Sequence, residues 1–192
     1  MPVATPDINQ PPAALLAMEA TPLSQYLAEH GNADRAKLMQ QVAVTLSTYH
    51  NVHRDIHGDM KMINVVVNAD GDAELLKSAA TVPITSEPAA PATPEERLPM
   101  TTATDVYAFA WLVFQTFTDI DPQELARDPK VMRMIASGAK PNRPGPDSLP
   151  AQRGLHEEIW AMLLRCWEIS PAARPTITEV VKVFDPAAAP SA

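Results

Sequence analysis

Apolar residues recur at helical spacing in several stretches of this chain. Leu23–Glu29 reads as a short helix. Asn32 and Asp34 can cap the next, in which Leu38, Val42, Leu46 and Tyr49 fall on one face. Asn51–Asp59 reads as a polar loop carrying His53 and His57. Val65–Val67, then Asn68-Ala69-Asp70-Gly71, then Ala73–Leu76 predict two short strands joined by a glycine turn. From Asp105 to Phe117 the chain is apolar on all sides, which predicts a helix buried all round. Val131–Ala136 reads as a short helix. Leu155, Ile159, Met162, Cys166 and Trp167 predict an amphipathic one. Thr176 and Glu179 form a capping box behind Pro175, opening a last helix with Ile177, Val180, Val181 and Phe184 inward.

Proline punctuates the rest. Prolines at 83, 88, 91, 94 and 99 exclude a helix or a central strand from Val82 to Pro99. Pro141–Pro150 is a second proline-rich loop. Residues 1–12 are expected to be flexible and 185–192 a disordered tail; Ala13–Met18 suits a strand or a helical turn. The pattern predicts one mainly α domain over 13–184 with a small β-hairpin.

Composition narrows the function classes. At 192 residues the chain can build one real core. A formal net charge of -8 argues against a general nucleic-acid or anionic-membrane surface. Cys166 is the single cysteine, so no intrachain disulfide forms, which fits a reducing compartment. The longest apolar run, Tyr107–Phe114, is far too short to span a bilayer, and no basic segment precedes an apolar one at the N-terminus. The expectation is a soluble, cytoplasmic protein.

The candidate chemistry lies in His57-Gly58-Asp59-Met60-Lys61-Met62-Ile63-Asn64. An aspartate, a lysine two residues later and an asparagine three after that suit phosphoryl transfer. The carboxylate orients an attacking hydroxyl, the lysine offsets charge on the moving phosphoryl group, and the amide oxygen can ligate magnesium. The valine-rich strands that follow would hold such a loop rigid. His53 and His57 read as structural histidines rather than metal ligands, and Met60 and Met62 as core filler.

With these residues in place the chain resembles the C-terminal lobe of a protein kinase of the tyrosine-kinase-like group, serine/threonine type. Glu19–Glu29 is similar to the hinge and the helix after it, and Asp34–His50 to the long helix before the catalytic loop. Pro94-Glu95 matches the end of the family's Ala-Pro-Glu motif. Asp105-Val106-Tyr107 resembles the start of the central helix, and Arg165-Cys166-Trp167 with Pro171–Pro175 resembles the C-terminal signature. His53-Arg54-Asp55 spells the opening of the family's catalytic loop but is a decoy, since His57 and Met60 stand where its lysine and asparagine would be needed. The resemblance implies that Asp59 and Lys61 are the catalytic positions and that Asn64 is the cofactor and magnesium position. His57, Glu95, Asp105 and Arg174 are then structural: Glu95 pairs with Arg174, and Asp105 caps the central helix and holds the loop backbone near His57. ATP and magnesium are the implied cofactors.

The chain also departs from the family. Its glycines stand at 31, 58, 71, 138, 145 and 154, so no Gly-x-Gly-x-x-Gly loop exists in it, and the N-terminal β lobe with its phosphate-gripping lysine is expected to be missing. Lys77-Ser78-Ala79 stands where the family has Asp-Phe-Gly, and a lysine cannot ligate a metal. Lys77 reads as an exposed strand-end lysine or as a replacement for the metal's charge. The stretch from 77 to Glu95 is short for an activation segment. Gly58 replaces an arginine and removes a docking point for a phosphate. The expectation is a catalytically impaired pseudokinase, or a truncated kinase, with weak or absent ATP binding. It would act through a protein partner or self-association, helped by apolar residues near Leu15, Leu16 and Met18. The alternatives are an active protein kinase acting on Ser/Thr or Tyr hydroxyls, a proline-rich interaction module using 82–99 and 141–150, and an incomplete version of a longer chain.

Overall fold

The computed structural model describes residues 20–84, 100–120, 129 and 137–185. The chain is mainly helical with small sheets, as its apolar periodicity predicts. Helix α1 spans Leu23–Glu29 and α2 spans Arg35–Thr48. The Asp34 side chain, not Asn32, caps α2, accepting from the Lys37 N–H at 2.9 Å. Leu38, Val42 and Leu46 on one face of α2 are buried, and Tyr49 at its end is partly so.

Strand β1 (Thr21–Pro22), β3 (Val65–Val67) and β4 (Ala73–Leu75) form an antiparallel sheet in the order β1-β3-β4. The register pairs Val65 with Leu75 and Val67 with Ala73. As the central strand, β3 buries all three valines, so it reads as a continuous apolar run rather than an alternating one. The turn between β3 and β4 is held by Asn68, whose side-chain oxygen accepts from the Asp70 and Asp72 N–H groups at 3.0 Å each. Gly71 supplies the left-handed backbone this turn needs, with φ 78°. Gln41 ties α2 to the hairpin by accepting from Ala73 N at 2.8 Å and donating to Asp72 at 2.7 Å.

The polar loop expected over Asn51–Asp59 is more ordered than that. A π-helical turn, Tyr49–His53, extends α2, and Arg54 ends it in the left-handed region. Asp55–Ile56 then forms strand β2, paired antiparallel with β5, Val82–Pro83. That partner lies far along the chain, so local pattern carried no sign of it. Pro83 is tolerated because β5 is an edge.

Helix α3, Thr102–Thr118, runs through the core. Val106, Phe109, Ala110, Leu112, Val113, Phe114 and Phe117 are all buried on it, while Tyr107, Ala108 and Trp111 are partly buried. A short helix α4, Leu149–Gln152, interrupts the proline-rich loop expected over 141–150; Pro150 sits in its first turn, where a missing N–H costs nothing. Helix α5 spans Glu157–Cys166, with Leu155 and Trp167 just outside it but buried. Helix α6, Ile177–Val183, opens on the expected Thr176–Glu179 capping box, with Ile177 and Val180 buried. It packs against α2 and α5. The expected helix at 131–136, the apolar stretch with Leu15, Leu16 and Met18, the flexible 1–12 segment and the tail beyond Asp185 lie outside the described residues.

One tie at the far end of α3 has no counterpart in the sequence reading. Asp119 closes the helix in the left-handed conformation, φ 56°. Its carboxylate meets Arg35 Nη1 at 2.7 Å and Arg153 Nη1 at 2.5 Å. Arg35 is fully buried and also donates to the Thr116 carbonyl. Burial lowers its pKa and the Asp119 hydrogen bond raises it, with a net fall that leaves a guanidinium charged. Asp119→Ala strands that buried charge. The cost should be about 3 kcal/mol, near the low end for a broken buried pair because Asp119 is partly exposed. Lys37→Ala, which removes an exposed pair with Asp72, should leave the urea midpoint nearly unchanged. Equilibrium urea unfolding of the two variants checks both.

Candidate functional site

The loop 57–64 is positioned from beneath by one carboxylate. Asp105 stands in the first turn of α3 and is 1% exposed. Its Oδ2 accepts from His57 N and from His50 Nε2, each at 2.8 Å, and its Oδ1 accepts from Gly58 N at 2.8 Å. A buried carboxylate needs such donors, and a helix N-terminus favours its charge. Asp105 does not cap the helix, contrary to the sequence reading. Thr101 and Thr104 form that cap, and the Asp105 carboxylate is taken up by the loop N–H groups instead.

His57 is fully buried and joins loop to hairpin. Its Nε2 is 2.8 Å from the Leu76 carbonyl, which can only accept, so Nε2 carries the proton. Its Nδ1 then accepts from Asp59 N at 3.3 Å. The Tyr49 ring meets it edge-on, with centroids 5.3 Å apart. His50, which the sequence reading did not single out, is buried against Asp105. Its signal was available: it lies four residues after Leu46 and eight after Val42, a titratable group on the apolar face of α2.

Gly58 has φ 77°, and a Cβ there would come within 2.6 Å of the Ala80 carbonyl oxygen. The glycine is therefore a packing requirement. Segment 78–81 lies against the loop, with Thr81 Oγ1 donating to the His57 carbonyl at 3.3 Å.

The three residues assigned to chemistry converge. Asp59 Oδ2 accepts from Lys61 Nζ and from Asn64 Nδ2, each at 2.9 Å, and the Asn64 amide also donates to the Asp59 carbonyl at 2.7 Å. Carboxylate and carbonyl can only accept, so Asn64 must turn its nitrogen toward Asp59 and its oxygen away. Buried Met60 and Met62 alternate with exposed Lys61 and Ile63, so the methionines root the loop in the core while the lysine faces out. Burial pushes the Asp59 carboxyl up, but the hydrogen bonds from Lys61 and Asn64 outweigh it, and its pKa lies below the ordinary value.

Lys77 follows Leu76, whose N–H donates to the Asn64 carbonyl at 2.8 Å. The lysine is exposed and has no hydrogen bond or ion pair with the described residues. Its backbone thus leaves the hairpin beside Asn64. The donor set fits a divalent magnesium ion poorly. Asn64 offers one amide oxygen, Asp59 is already engaged by Lys61, and Lys77, where the kinase resemblance calls for a carboxylate, has no oxygen to offer. His53 is exposed and His57 is committed to hydrogen bonds. Among the described residues no three His, Cys, Asp or Glu side chains are grouped to hold a metal.

Glu95, and with it the expected Glu95–Arg174 pair, lies outside the described residues. Arg174 itself donates to three backbone carbonyls: Glu168 at 2.8 Å, Ala103 at 2.9 Å and Ile169 at 3.3 Å. Its guanidinium lies 4.7 Å from the centre of the Tyr107 ring. It fastens the chain after α5 to the start of α3.

Asp105→Ala strands the His57 and Gly58 N–H groups and His50, and should cost at least about 3 kcal/mol, a large part of the roughly 5–15 kcal/mol available to a domain. Arg174→Ala should also lower the melting temperature clearly, and Asp59→Ala only slightly. Thermal melts of the three variants give the ranking. Acid should act through Asp59 as well. A carboxyl whose folded pKa is depressed adds stability above its unfolded pKa and loses it as pH falls through the folded value. Stability should therefore decline below about pH 4, and Asp59→Asn should narrow the gap between urea midpoints at neutral and acid pH. Asp72 and Glu179, also depressed, keep the rest of that gap in place.

Comparison with known proteins agrees with this geometry. The family model of protein tyrosine and serine/threonine kinases matches residues 14–184. The chain is 23% identical over 164 residues to the dual specificity protein kinase shkE of Dictyostelium discoideum, covering 78% of this chain and 22% of that protein. It is 33% identical over 87 residues to the human receptor-interacting serine/threonine-protein kinase 1, covering 45% of this chain and 12% of that protein. The chain thus spans less than a quarter of the length of either relative. With the family model covering most of its length and the loop 57–64 held as described, the chain belongs to the protein tyrosine and serine/threonine kinase family.

Proposed function

We propose that this is a catalytically impaired protein kinase domain, a pseudokinase that acts in signalling by binding other proteins rather than by transferring phosphate. One observation carries the reading: Lys77 leaves the hairpin beside Asn64, where the kinase resemblance calls for a metal-binding aspartate. Phosphoryl transfer depends on charge neutralisation by metal ions bridging the phosphates. An ammonium in that place repels the ion and offers it no oxygen. The buried parts of the site serve the fold: Asp105, His57 and His50 hold the loop whether or not chemistry follows. A cytoplasmic setting fits this role, and among the described residues no helix is long and apolar enough to cross a membrane.

A second reading has its own support. Asp59, Lys61 and Asn64 lie within hydrogen-bonding distance of one another, the arrangement that orients a hydroxyl for attack. On that reading the domain phosphorylates Ser/Thr or Tyr hydroxyls with Mg-ATP, the acceptor class that the relatives' names suggest.

A radiolabelled phosphotransfer assay on the purified chain, with Mg-ATP and a generic basic protein substrate, separates the two. No incorporation above background is expected, against roughly 1–100 turnovers per second for a working kinase. Incorporation that Asp59→Asn abolishes would overturn the proposal in favour of the active enzyme.

A further inference from the structure

We propose that a cavity between α3 and the chain leaving α5 binds a small aromatic carboxylate. The cavity shares no residue with the catalytic loop, so the inference stands apart from the pseudokinase reading.

The cavity measures about 220 Å³. Tyr107 and Trp111 of α3 line it, as do Trp167, Ile169 and Arg174 of the chain after α5. Gly138 adds a third segment to the lining. Its φ is 72°, and a Cβ there would come within 2.5 Å of Ile169 Cδ1, so a glycine lets this segment lie against Ile169. An ion pair of Lys140 with Glu168, at 2.5 Å, ties the same two segments together. The Trp111 and Trp167 ring centroids are 4.7 Å apart, and Phe114 meets both rings edge-on. The lining is thus set by the core, and its aromatic walls suit a flat ring.

Three donors in this lining fix the polarity of the ligand. Trp111 Nε1 and Trp167 Nε1 are both buried, and neither finds an acceptor among the described residues. An indole N–H can only donate, and leaving it buried and unpaired costs free energy that an acceptor would restore. The third donor group is the Arg174 guanidinium. It is held by three carbonyls and the Tyr107 ring and forms no ion pair with the described residues, so its charge is in place before a ligand arrives. Glu168, beside Ile169 in the chain, is taken up by Lys140. A carboxylate supplies acceptors and matches the charge, while a ring packs on the indoles. Glu95, which the kinase resemblance pairs with Arg174, would be a competitor for the same charge.

The test is titration of the full chain with phenylacetate, followed by tryptophan fluorescence and by calorimetry. The chain's three tryptophans, Trp111, Trp160 and Trp167, form one cluster, so their emission reports on the cavity. Saturable binding is expected with a Kd in the millimolar range, as suits a ligand of about ten non-hydrogen atoms. Phenethylammonium keeps the ring and reverses the charge, and acetate keeps the charge without the ring; neither should bind measurably. Trp111→Phe keeps a ring, drops one donor and should weaken phenylacetate about fivefold. Ile169→Ala should weaken it roughly threefold by removing apolar lining. Ile169 is 72% exposed, so this variant keeps the fold and decides the matter should Trp111→Phe melt early. Glu95→Gln should bind at least as tightly as the parent, and Lys77→Ala equally. Absence of saturable binding, equal binding of phenethylammonium or of acetate, weaker binding in Glu95→Gln or Lys77→Ala, or affinity indifferent to Ile169→Ala would each overturn the inference. None of these outcomes bears on phosphate transfer, which the assay above decides by itself.

Discussion

A single carboxylate with three donors organises this molecule. Asp105 is almost wholly buried, and burying a charge is tolerable only when its lone pairs are filled. His57 N–H, Gly58 N–H and His50 Nε2–H fill them. Those partners come from the end of α2 and from the loop, so one side chain joins the central helix, the helix before the loop and the loop itself. His57 carries the connection onward to the hairpin through the Leu76 carbonyl. The loop's geometry is therefore a property of the core rather than of the loop.

That organisation separates the residues that shape the site from those that would act in it. The residues that shape the loop face inward: Asp105, His57, His50, Met60 and Met62 are all buried. Those that would act on a substrate face outward or half outward: Asp59, Lys61, Asn64 and Lys77. Changing an outward residue leaves the buried hydrogen bonds intact, so a lysine at position 77 costs the fold little. Its consequence is electrostatic. Where the kinase resemblance calls for a metal ligand, it offers an ammonium and no oxygen.

Arginines fasten the two ends of α3. At its start Arg174 gathers three carbonyls, one of them Ala103 in the first turn. At its end Arg35 and Arg153 converge on Asp119 and on the last carbonyls of the helix, Thr116 and Phe117. A guanidinium carries five donors in a planar fork and can meet several carbonyls at once, so one side chain can tie the carbonyls of two segments together.

The sequence alone determined the elements whose causes are local. Helical spacing of apolar residues marked α2 and α5, an apolar run on all sides marked α3, the valine run with its Asn-Ala-Asp-Gly turn marked the β3–β4 hairpin, and Thr176 with Glu179 marked the start of α6. The spacing of Asp59, Lys61 and Asn64 was legible for the same reason, since six consecutive residues hold all three. Tertiary structure decided whatever depends on groups distant in sequence. The β2–β5 pairing, the burial of His50 and the Arg35–Asp119–Arg153 tie each join residues tens of positions apart. Gly58 shows the boundary most clearly. In sequence it was a missing arginine; in the fold it is the gap through which the Ala80 backbone passes, because steric exclusion acts between neighbours in space, and the chain order does not say who those neighbours are.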